Sequence, residues 1–168
     1  MRSGTLGRLF IFYLLASSLC AQTLDPKTFS RVFKQIRDSV VMITVSTTII
    51  VSGRPRTVEG GGSGVIVSAD GLIVTNKHVV SDKTRAFKVV LANGQEIKAS
   101  FVNMAPDTDL SLIKLDSIPQ GGIKSIPLGD SDKIEEGDWV LAIGSPFGLG
   151  GTLTVGVVSA KERTISIP

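Results

Sequence analysis

The chain has 168 residues, 42% apolar, 20% charged and 5% aromatic, with 18 glycines, one cysteine and one histidine. That length admits one domain or two small ones, and the apolar share is enough for a core and too high for a disordered chain. The formal charge of +3 falls to +1 without residues 1–21, and no basic stripe interleaved with aromatics is left, which argues against nucleic-acid binding.

Residues 1–8 carry Arg2 and Arg8 and no acid, and are followed by the apolar run Leu9–Ala16 and the small residues Ser17, Ser18 and Ala21. This order predicts a secretory signal peptide over residues 1–21, cleaved after Cys20 or Ala21. The run is too short for the about 20 residues that a bilayer span needs, so no stable membrane span is expected after cleavage. Cys20 leaves with the leader. The mature chain then has no cysteine, which excludes a disulfide scaffold, a Cys₂His₂ zinc site and a cysteine nucleophile.

Asp25-Pro26 reads as an N-cap and first helical position, and Phe29, Val32, Phe33, Ile36 and Val40 fall at helical spacing, predicting one amphipathic helix over 26–38. Val40–Val51 is β-branched and reads as a long strand. Ser52–Gly62, polar and glycine-rich, reads as a flexible surface loop. Two hairpins follow, Gly64–Ser68 with Leu72–Thr75 around Asp70-Gly71, and Phe87–Ala92 with Gln95–Val102 around Asn93-Gly94. Further strands are expected at Leu110–Leu115, Trp139–Ile143 and Thr152–Ala160. Short strands between frequent turns predict a mostly β chain, an antiparallel barrel or sandwich.

The single histidine, His78, comes just after a hydrophobic strand, where a side chain can be held rigidly. Asp109 lies at the entry to another strand and is expected to be partly buried and in need of a cationic or N–H partner. An imidazole is such a partner: a carboxylate on one ring nitrogen fixes the tautomer and leaves the other nitrogen as a base. Asp107, with no apolar neighbour, reads as solvated loop. Gly60–Gly64 lacks the Lys-Ser/Thr ending of a phosphate loop and leads into a strand. One histidine and no mature cysteine leave only carboxylates for a metal, so no metal site is expected. Ser145 lacks a Gly-x-Ser-x-Gly elbow, and Pro146 removes an N–H that an oxyanion hole needs, so Gly144–Gly148 reads as a rigid turn.

Several ordered segments together resemble the HtrA/Deg family of exported, trypsin-like serine proteases. They are Gly62–Gly71, Leu72–Val80 with its Thr75-Asn76-Lys77-His78, Asp107–Leu115, Leu128–Ser131, Glu136–Gly150 and Val155–Ala160. The resemblance implies a double antiparallel β-barrel with the active site in the cleft between the barrels. It makes His78 the general base and Asp109 its orienting acid. Residues 22–126 would hold the N-terminal helix and a complete first barrel, and 127–168 the opening strands of a second, truncated one. It also implies misfolded or unfolded polypeptide substrates, a homotrimer in the intact family member, a periplasmic or envelope location and no cofactor.

The family's nucleophile sits in a Gly-Asn-Ser-Gly-Gly segment that does not occur in these 168 residues. The expectation is therefore an HtrA-like endopeptidase sequence whose chain, taken alone, is inactive, since losing the nucleophile of a triad costs about a millionfold in turnover. The alternative is a non-catalytic protease-like module that binds unfolded polypeptide or modulates full-length subunits.

Overall fold

The computed structural model describes residues 25, 27–80, 87–145 and 151–162; the expected signal peptide and Pro26 lie outside them. Asp25 caps helix α1 (Lys27–Ile36), its Oδ1 accepting the Lys27 N–H at 2.9 Å and its carbonyl the Thr28 N–H at 2.8 Å. The last turn tightens into a 3₁₀ turn over Arg37–Ser39, which feeds directly into the first strand. The apolar stripe of α1 is only half-buried, and its Phe29 ring rests against Trp139 with centroids 5.3 Å apart.

Strands β1 (Val40–Val51), β2 (Arg54–Ile66), β3 (Leu72–Thr75), β4 (Phe87–Val90), β5 (Glu96–Met104) and β6 (Ser111–Leu115) close into an antiparallel barrel in the order β1-β2-β3-β6-β5-β4. Pairing of β1 with β4 completes the ring and leaves its interior without an open edge. Alternate side chains fill the inside: Val41, Ile43, Ile66, Ile73, Val80, Val89 and Ile113 are each at most 1% exposed. The two predicted turns are as expected. Gly71 (φ 91°) and Gly94 (φ 84°) take the left-handed conformation that their hairpins require.

The segment Ser52–Gly62 is not a loop. It turns at Ser52 and Gly53 (φ 53° and 77°), and the rest is the return strand of a hairpin paired without interruption from Val40↔Val65 to Val51↔Arg54. Gly61 and Gly62, with Gly64 just beyond, mark close approach rather than flexibility. A Cβ on Gly61 would collide with the Ile43 carbonyl oxygen, one on Gly62 would lie 2.5 Å from Val79, and one on Gly64 2.7 Å from Ile73. Composition alone hides this, because the same residue serves a floppy loop and a crowded strand.

A separate two-stranded sheet joins β7 (Trp139–Gly144) to β8 (Thr152–Val157), which ends three residues earlier than expected. None of its residues is buried, and Trp139, Val140 and Val157 are exposed. It is tied to the rest through Trp139 on Phe29 and through the Ser145 N–H, which donates to Ser63 Oγ at 2.7 Å. The class is mostly β, as expected: a closed barrel and a second small sheet. No helix among the described residues is long and apolar enough to cross a membrane.

Candidate active site

His78 and Asp109 are 31 residues apart, yet the barrel makes them neighbours. Strands β3 and β6 are adjacent and antiparallel, with Thr75 opposite Ser111, so the end of β3 and the start of β6 share one rim. His78 follows the first by three residues and Asp109 precedes the second by two. Strands β4 and β5, which separate them in sequence, close the far side of the barrel.

The rim is held by its backbone before any side chain acts. The Val79 N–H donates to the Asn76 carbonyl at 3.1 Å, folding 76–79 into a turn, and the Lys77 N–H donates to the Asp109 carbonyl at 3.2 Å. Just beyond the histidine, Val80 is fully buried in the core and Val79 packs on that core against the bare face of Gly62. Two apolar anchors therefore press the turn down while His78 points outward. On the β2 side, Thr75 Oγ1 donates to the Ser63 carbonyl at 2.8 Å, and Ser63 Oγ accepts the Ser145 amide.

His78 Nδ1 lies 2.6 Å from Asp109 Oδ2, and the His78 main-chain N–H donates to Oδ1 at 3.0 Å. A carboxylate oxygen only accepts, so the proton of the neutral ring belongs on Nδ1, and Nε2 carries the lone pair. Asn76 Nδ2 adds bonds of 3.1 Å to the Asp109 carbonyl and 3.2 Å to Oδ2.

Asp109 is not as buried as expected: its side chain is 51% exposed and that of His78 is 72% exposed. Hydrogen bonds, rather than enclosure, satisfy the carboxylate. Partial desolvation pushes the Asp109 carboxyl upward, but the His78 ring and amide, the ring's charge and the Asn76 amide together hold it below its ordinary value.

Ser145 is 8% exposed and spends its N–H on Ser63, while the rest of the turn expected there, residues 146–148, lies outside the described residues. Sequence reasoning named Asn76 and Ser63 only as parts of motifs. The signal for Asn76 was available: a side-chain donor set between a strand end and the lone histidine.

The trypsin-like peptidase domain family matches residues 62–167. A protein of Brucella suis biovar 1 named "Probable periplasmic serine endoprotease DegP-like" is 48% identical over 104 residues, covering 62% of this chain and 20% of the relative. Proteins of the same name from Pseudomonas putida F1 and Rhizobium meliloti are 45% and 44% identical over 112 residues, covering 67% of this chain and 23% and 21% of theirs. The chain thus spans about a fifth of the length of these curated relatives.

Proposed function

This chain belongs to the trypsin-like peptidase domain family, and from that premise we propose that it carries the base and the orienting acid of an HtrA-like serine endopeptidase. The observation that carries the reading is the 2.6 Å contact of Asp109 Oδ2 with His78 Nδ1 on one rim of a closed barrel. In the reaction, Nε2 of His78 takes the proton of a serine hydroxyl as its oxygen attacks the peptide carbonyl. The same proton then passes to the departing amine, and Asp109 stabilises the imidazolium in between without being protonated itself.

We assign the attacking serine and the oxyanion-hole amides to a Gly-Asn-Ser-Gly-Gly segment, which the 168 residues do not contain. On this reading the polypeptide alone forms no acyl-enzyme. Residues 22–126 make the helix and first barrel, and 127–168 contribute opening strands to a second. The substrates are unfolded polypeptides met after export to the periplasm, the assembly is a trimer, and no cofactor takes part. The names of the relatives, the barrel and the rim geometry support this assignment.

A chimera tests it. Residues 62–167 of this chain, the span of the family match, replace their counterparts in the Brucella suis relative. The chimera is expected to hydrolyse casein and to take a fluorophosphonate label, and Asp109→Asn within it to lose about ten-thousandfold in kcat through the wrong tautomer. A folded chimera that is inactive, or as active with His78→Ala as without it, overturns the reading. The 168-residue chain itself is expected to take no label.

A further inference from the structure

Asp109 has two oxygens and about four lone-pair positions to satisfy. Two bonds come from His78, one to each oxygen, and both partners sit on the same exposed turn. With half of its side-chain surface open, the carboxylate is not held by packing, and a water molecule can compete for every free lone pair. Asn76 is placed against that competition. Its amide reaches the Asp109 carbonyl at 3.1 Å and Oδ2 at 3.2 Å. Both partners are pure acceptors, so the amide must present its NH₂ rather than its oxygen.

We infer that Asn76 is a positioning residue for the His78–Asp109 pair: its side-chain amide pins Oδ2 and the carbonyl of the same aspartate, and so fixes the oxygen that selects the ring's tautomer. The inference rests on the serine-protease reading of that pair, which it deepens. The Oδ2 oxygen has a double duty. It takes the ring proton at 2.6 Å and the Asn76 amide at 3.2 Å, so the carboxylate cannot rotate about its Cβ–Cγ bond without breaking a bond on each side. The backbone bond from Lys77 to the Asp109 carbonyl leaves the same oxygen shared between the strand-end turn and the Asn76 side chain. The nearby cation does not substitute for this role, because Lys77 Nζ is directed to the Pro106 carbonyl at 3.4 Å.

His78 is the only histidine, so the nitrogen and Cε1–Hε1 signals of one imidazole report the site without assignment by mutation. The experiment compares the full chain with Asn76→Ala, which deletes the donor, and Asn76→Asp, which keeps the shape and replaces the donor by an anionic acceptor. Both variants are expected to convert a single Nδ1–H tautomer into a mixture with Nε2–H. Both are also expected to move the low-pH inflection of the His78 signals, which tracks Asp109, toward the ordinary carboxylate range. Backbone amide spectra of β3 and β6 confirm that each variant is folded. A role in shape alone predicts that Asn76→Asp behaves as the parent; an unchanged tautomer and inflection in both folded variants overturns the inference. Asp109→Asn separates the two levels. If it alone changes the ring, the dyad stands and the Asn76 role falls; if even it leaves the ring unchanged, the protease reading falls as well.

Discussion

The barrel and the β7–β8 hairpin are both rich in Val, Ile and Thr, but they spend that composition differently. In the barrel, every second side chain of β3, β4, β6 and the Val41–Val45 half of β1 points into a closed interior, and Ile43, Ile73, Val89 and Ile113 are fully buried. In the hairpin, Trp139 is 54% exposed and no residue of the two strands is buried, because among the described residues they have no second layer to close on. Closure is what makes a rim rigid enough to hold chemistry. Both residues of the candidate dyad sit on the barrel, and the Ser145–Ser63 bond links the end of β7 to the rim.

The sharpest way to break this contrast is a matched pair of truncations. Ile113→Ala in the barrel is expected to cost about 2–5 kcal/mol, through lost transfer energy and the cavity left behind. Val140→Ala in β7 should stay within about 0.5 kcal/mol, as exposed substitutions do. Urea unfolding of both variants checks the pair, and equal losses would erase the distinction between the two regions.

A second pair tests whether the glycines of β2 are crowded or merely flexible. Gly61→Ala forces a methyl group onto the Ile43 carbonyl and is expected to destabilise by about 1–3 kcal/mol. Gly60→Ala, which meets nothing within 4 Å, is expected to be near neutral. Thermal melts of the two variants measure this; a flexible loop would tolerate both equally.

These glycines also show where sequence reading stopped. Alternation of β-branched residues, Asp70-Gly71 and Asn93-Gly94 disclosed most barrel strands, because period and turn chemistry are local. Whether Gly61 and Gly62 bend freely or pack against Ile43 and Val79 depends on strands that are neighbours only after closure. The site followed the same divide. His78 and Asp109 could be paired from residue type and family resemblance, whereas the burial expected of Asp109 was wrong because hydrogen bonds took its place. For Asn76 the sequence offers only a side-chain donor between a strand end and the lone histidine; its acceptors lie on Asp109, at the entry to the other strand of the rim, and become its neighbours only after closure.

A smaller effect sharpens the junction between the regions. Ser63→Ala removes the acceptor of the Ser145 N–H, a loss of about 1 kcal/mol. Amide exchange is expected to quicken in β7 while protection in β3 and β6 stays unchanged. Faster exchange throughout would mean that the hairpin and the barrel unfold as one unit.

The smallest expected effect is electrostatic and belongs to the barrel alone. Hydrogen bonding and charge from Lys114, with help from Ser68, hold the Asp70 carboxyl at about 2, below its ordinary 3.8. A lowered carboxyl binds its proton more readily in the unfolded chain, so its contribution is whole above pH 3.8 and is lost as the pH falls toward about 2. Because the pair is exposed, the contribution is modest and falls with salt. Acid unfolding of Asp70→Asn is expected to lose this slope; an identical acid profile would contradict it.

The claim beneath all of this is that the closed barrel, by its own closure, builds a histidine braced by a carboxylate. The most direct measurement is a nitrogen–proton correlation spectrum of the lone imidazole in the unmodified 168-residue chain, taken with the ring in its neutral form. The account predicts that the neutral ring carries its proton on Nδ1, shifted downfield by its bond to Asp109. A ring protonated at Nε2, or one averaging freely between tautomers, would contradict it.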